Sequence, residues 1–188
     1  MSTPDLNFMF AFLFLVFVVM YLDMKFSLLR DTSTASTKPY SFARVQLAWW
    51  LVIIVASITA IMLLPGSHFL PLFDQSTWAL LGISAATMAG GSVIDASDNK
   101  NPTPNHPLAR NLTSENLILD ILSDSSGVTI HRLQTVVFNL LYGVWFVYKV
   151  LNNLGQVGSV IPAFDNNTLI LLGLSSGTYA ALKSTENK

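Results

Sequence analysis

The chain has 188 residues, of which 52% are hydrophobic and only 11% charged, with a formal net charge of −1. Soluble domains run near a quarter charged, so this is the composition of an integral membrane protein, and its near-neutrality offers no electrostatic reason to expect nucleic acid as a partner. Cysteine is absent, which excludes disulfides, thiolate metal sites and thiol nucleophiles.

A helix needs about 20 apolar residues to cross a hydrocarbon core of roughly 30 Å. The first candidate runs from Leu6 to Leu22. It has Asp5 in place of a basic leader and no small-x-small cleavage motif, so it reads as a retained transmembrane helix rather than a secretory signal. A short surface helix is expected next, over Met24 to Arg30. The second span is Arg44 to Leu64, with Trp49 and Trp50 near its start suited to a membrane interface. The third is Thr77 to Ile94. Residues 97–107 read as a linker or partner-binding loop. They are followed by an amphipathic helix from Ser114 to Ser123, capped by Thr113 or Ser114, with Leu117, Ile118, Ile121 and Leu122 as its apolar stripe. Its polar side is acidic, which favours docking on the bundle or a partner over gripping anionic lipid. The fourth span is Arg132 to Leu151 and the fifth Thr168 to Leu182.

The expected fold is therefore all-α: a single membrane domain, residues 1–188, with five transmembrane helices and short cytoplasmic amphipathic helices. Residues 1–30 form a leading span and juxtamembrane helix, 40–95 a first hairpin, 96–128 a cytoplasmic loop and short helix, and 129–188 a second hairpin. Lys25, Arg30, Lys38, Arg44, Lys100, Arg110, Arg132, Lys183 and Lys188 all fall on one face of that arrangement, and only Lys149 on the other. Short cytoplasmic loops carry the positive charge. The amino terminus is then outside and the carboxyl terminus inside.

The hairpins look like copies of one unit. Arg44-Val-Gln46 aligns with Arg132-Leu-Gln134 at an offset of 88, and Leu80-Leu-Gly-Ile-Ser-Ala-Ala-Thr87 with Leu171-Leu-Gly-Leu-Ser-Ser-Gly-Thr178 at an offset of 91. Like-oriented hairpins imply a pseudo-symmetry axis along the membrane normal.

Small-xxx-small stripes recur at Gly82, Ala86 and Gly90, and at Gly173, Gly177 and Ala181, a pattern that lets membrane helices approach closely within or between subunits. Arg44 and Arg132 can snorkel, or pair with Asp95 and Glu186 at the cytoplasmic ends of the returning helices. Gln46 and Gln134 lie about 200° round the helix from those arginines, so each glutamine seeks a partner across its hairpin or in the other repeat. Ser84, Thr87, Ser175 and Thr178 either bond to their own helix carbonyls or, with the glutamines, line a polar path.

No ionisable residue lies well inside a span, which argues against proton pumps and coupled transporters. His68, His106 and His131 have no metal-ligand spacing, and neither cofactor nor enzymatic activity is expected. The paired Arg-x-Gln and Leu-Leu-Gly-(Ile/Leu)-Ser motifs, with Asp120-Ile-Leu-Ser-Asp124, resemble those of a group of bacterial multi-pass inner-membrane proteins over about residues 40–183. The resemblance implies an inner-membrane setting and no particular activity. Two functions fit: a self-associating, non-catalytic scaffold or anchoring subunit, embedded in lipid and recruiting a cytoplasmic protein through 96–128, or an oligomeric ion-conducting pore.

Overall fold

The computed structural model describes residues 3–32, 37–64, 75–100, 114–124, 127–154 and 161–183. It is all-helical: α1 (Thr3–Phe26), α2 (Phe42–Met62), α3 (Gln75–Lys100), α4 (Leu117–Leu122), α5 (Ile130–Asn153) and α6 (Asn166–Lys183). A two-residue antiparallel ladder, β1 (Ser123–Asp124) with β2 (Gly127–Val128), joins α4 to α5.

Four of the five expected spans fall within a long helix, and the second, Arg44 to Leu64, runs two residues past the end of α2. Four of the long helices, α1, α2, α3 and α5, have windows long and apolar enough to cross a membrane. α6 falls short of that standard. Its 18 residues rise about 27 Å, and they include Asn166, Asn167, Ser175, Ser176 and Thr178.

Local chemistry explains the helix ends. Ser27 takes the left-handed conformation at φ 56° and its N–H closes on the Asp23 carbonyl, which stops α1. The chain then turns back, with Arg30 bridged to Tyr40. This corrects the expected surface helix over Met24 to Arg30: α1 runs on through Phe26 and is followed by a turn. The second amphipathic helix does form, shorter than expected and capped by Asn116, whose Oδ1 accepts the Leu119 N–H at 2.9 Å. At α6, Asp165 accepts the Thr168 N–H at 2.7 Å.

α2 is the central helix, packed on α1, α3 and α5, while α6 packs on α3 and α5. The main core gathers Trp50, Ile53, Ile54, Leu80, Phe146, Val150, Ile161, Phe164 and Leu172. Trp50 stands edge-on to Phe146 and Phe164, and those two rings stack at 5.6 Å; such aromatic pairs contribute about 0.5–1.5 kcal/mol beyond their area. Nearer the start of α2, Phe42 and Ala43 pack with Tyr179, Met88, Ile121 and Val136. These two clusters set the depth scale of the bundle: α2 and α5 start at one end, termed proximal, and α3 and α6 finish there.

α1 is different. Phe8 rests on Ala56 and Ala60, yet only 6% of its span is buried, and Phe10, Phe14 and Phe17 are exposed. A helix that apolar all round, uncovered by protein, belongs in hydrocarbon.

Candidate functional site

Two polar assemblies stand out, one inside the bundle and one at its proximal end. The first lies between the two clusters just described. Gln46 falls between Phe42 and Trp50 on α2, Ser84 between Leu80 and Met88 on α3, Asn139 between Val136 and Phe146 on α5, and Ser175 and Ser176 between Leu172 and Tyr179 on α6. Every one of these polar residues is buried, so four helices contribute to a single polar layer.

Hydrogen bonds knit much of that layer together. Gln46 Nε2 donates to Ser176 Oγ at 3.2 Å. Trp50 Nε1 donates to Asn139 Oδ1 at 2.8 Å and Trp49 Nε1 to the Asn139 carbonyl at 3.1 Å. Asn139 Nδ2 in turn donates to the Thr135 carbonyl, and Thr135 Oγ1 donates to the His131 carbonyl, with the Ser175 carbonyl at 3.4 Å. The two tryptophans therefore act as a clasp between α2 and α5, correcting their expected interfacial role; Trp50 is fully buried. The close approach they require is made at Gly143. A side chain there would sit 2.5 Å from Trp49 Nε1, a separation only glycine permits.

The expected polar residues are placed unevenly. Gln46 reaches across to the other hairpin, whereas Gln134 is exposed. Thr87 is buried and bonds back to the Ile83 carbonyl at 2.8 Å, while its repeat counterpart Thr178 is exposed. Ser84 and Ser175 are both buried. Arg44 is half-buried and reaches the Leu28 carbonyl at 3.3 Å. Arg132 is buried, with its guanidinium 5.3 Å from the Tyr179 ring centroid. The Asp95 side chain and Glu186, their expected ionic partners, lie outside the described residues.

The small-residue stripes need correction as contacts within the chain. Among the described residues, nothing lies within 4 Å of where a side chain would start at Gly82, Gly90 or Gly177, while Gly173 meets Ile83 at 3.7 Å. Ala86 and Ala181 are exposed. Gly82, Ala86, Gly177 and Ala181 face outward because Ser84, Ser175 and Ser176 take the inner face of their helices.

The proximal assembly centres on Asp120, only 3% exposed. Its carboxylate accepts the Tyr40 N–H at 3.0 Å, the Ser114 hydroxyl at 2.7 Å and the Glu115 N–H at 3.1 Å. The α4 segment is thereby fastened to the α1–α2 linker. Within that linker, Arg30 lies over the Tyr40 ring at 4.3 Å, donates to the Tyr40 hydroxyl and the Lys38 carbonyl, and stands 3.8 Å from Asp23. Burial raises the Tyr40 phenol above its ordinary value, and Arg30 pulls the other way. Asp23 also accepts the Leu29 N–H at 2.8 Å.

Sequence reasoning overlooked Asn139, Gly143 and the Asp23–Arg30–Tyr40–Asp120 set. Asn139 was open to detection: an amide inside the apolar run Val136 to Leu141 has to find partners in a bundle. The proximal set joins residues far apart in the chain, so no local pattern announces it.

Among the described residues, no group of three or more His, Asp or Glu side chains is placed to hold a metal ion. No protein-family model matches the chain, and no significant match is found among curated proteins or solved structures.

Proposed function

We propose that this chain is a non-catalytic membrane scaffold or anchoring subunit that self-associates in a bacterial inner membrane. In this reading α6 serves as a fifth span, shielded by α3 and α5, and α2–α3 and α5–α6 are like-oriented hairpins derived from one repeated unit. The amino terminus is outside, and the proximal end, with its cationic residues, faces the cytoplasm. There the platform organised by Asp120 presents residues 96–128 to a protein partner.

The observation that carries this reading is the outward-facing small-residue face of α3. Gly82 and Ala86 are exposed along one helix side with Ala85 and Ala89, and among the described residues nothing lies within 4 Å of where a side chain would start at Gly82 or Gly90. Within a bilayer such a face gains from close backbone packing against another helix. The interior hydroxyls and amides, by contrast, are largely engaged by the bundle's own helices.

Crosslinking in native membranes and native mass spectrometry in mild detergent test the proposal. A defined oligomer is expected, broken to monomer by Gly82→Leu with Ala86→Leu; a wild-type chain that stays monomeric in both settings refutes it. The pore reading draws on the exposed polar residues Gln134 and Thr178, which would have to line a path between copies. It requires bilayer currents that Gln134→Leu alters, and electrical silence rejects it.

A further inference from the structure

The polar layer contains two atoms that its hydrogen bonds do not satisfy. Gln46 Oε1 and Ser84 Oγ have no hydrogen-bond partner among the described residues, although Gln46 is 4% exposed and Ser84 is fully buried. Burying an unbonded amide or hydroxyl oxygen is destabilising, and hydrocarbon around the bundle offers no relief.

Their placement connects them. α2 and α3 pack together, as do α3 and α6, and Gln46 bonds to Ser176, so the three helices meet at one junction. Gln46 is one turn from Trp50, Ser84 one turn from Leu80, and Ser176 one turn from Leu172; Trp50, Leu80 and Leu172 share a core cluster. All three polar residues sit on the proximal side of that cluster. Ser176 Oγ accepts from Gln46 Nε2, which leaves its own hydroxyl proton to donate elsewhere.

We propose that this junction is a binding site for a buried water molecule, which donates to Gln46 Oε1, exchanges a hydrogen bond with Ser84 Oγ and accepts from the Ser176 hydroxyl. Three partners is the usual complement of an internal water. Water is favoured over a metal cation by charge and ligand number. The junction holds no carboxylate, and hard cations take six or more oxygens. An ion held by three neutral oxygens would keep most of its desolvation penalty. The site links α2, α3 and α6 in one register without a direct bond between Gln46 and Ser84.

An experimental structure fine enough to show ordered solvent, together with a mutant cycle on the intact chain, tests this. One solvent peak within hydrogen-bonding distance of both Gln46 Oε1 and Ser84 Oγ is expected, and Ser84→Ala should abolish or displace it. Gln46→Met and Ser84→Ala should each lower the thermal midpoint in detergent by a few degrees, with the double variant losing clearly less than the sum of the two. A direct Gln46–Ser84 bond, a Ser84 hydroxyl turned to its own helix carbonyl with no solvent peak, or additive losses overturn the proposal. So does a midpoint that rises with sodium or potassium but not with a bulky organic cation, which would make the occupant an ion. Should Gln46→Met fail to fold, the solvent peak and its response to Ser84→Ala decide the matter alone.

Discussion

The two Arg-x-Gln segments match in sequence and are opposites in the folded chain. In α2 the glutamine is buried and the arginine half-exposed; in α5 the arginine is buried and the glutamine exposed. Residues two apart on a helix point about 200° away from each other, so a helix can turn only one of them inward. α2 is rotated to face Ser176 and α5 to lay Arg132 on Tyr179. Two differences between the aligned segments accompany this contrast. At the offset of 91, Ser176 corresponds to Ala85, so the counterpart of the Gln46–Ser176 bond has no hydroxyl to receive Gln134. Asn139 adds to it, for its counterpart at the offset of 88 is Leu51.

The sharpest way to break this comparison is to remove Asn139. Asn139→Ala strips the acceptor from a fully buried indole and leaves a void, and should cost about 2–3 kcal/mol of stability. Thermal unfolding in detergent would register it. Leu51→Ala, at the exposed equivalent position on α2, should cost far less.

A smaller contrast concerns the glutamines themselves. Gln46→Leu breaks an interhelical hydrogen bond and should destabilise by about 1 kcal/mol. Gln134→Leu, facing outward, should change stability by less than about 0.5 kcal/mol. Equal effects from the two variants would mean that the helix rotations are the same and the asymmetry described above is mistaken.

The smallest effect is acid dependence at α6. The Thr168 N–H bonded to Asp165 holds its carboxyl below the ordinary value of 3.8. A depressed folded-state value stabilises the protein above the unfolded value, and that contribution disappears as pH falls through the folded one. A slight loss of midpoint is expected as pH drops below 3.8. Asp165→Asn, which keeps a capping oxygen but does not titrate there, should remove that acid sensitivity.

Much of the fold was legible because hydropathy and length speak directly to helix formation in lipid. The five long helices lie where apolar runs indicated them, with α2 ending two residues before the expected Leu64. That Gln46 would seek a partner on another helix was also legible, since an amide within an apolar run must be satisfied there, but the choice of Ser176 on α6 over a partner across its own hairpin was not. Nor was the proximal platform. Asp120 meets Tyr40 across 80 residues, and α1 runs into the expected surface helix as far as Phe26, where Ser27 turns the chain and Asp23 accepts the Leu29 N–H.

By itself, then, the order of residues determined which segments are helical and which of them suit hydrocarbon, because backbone satisfaction and transfer free energy are local properties. Only the tertiary structure decided how each helix is rotated about its axis. That choice buried Gln46, Ser84, Asn139 and Arg132 and turned Gln134, Gly82 and Gly177 outward. Rotation depends on which side chains meet across the bundle, and outside α5, which is amphipathic, the long helices carry little amphipathic pattern to reveal it.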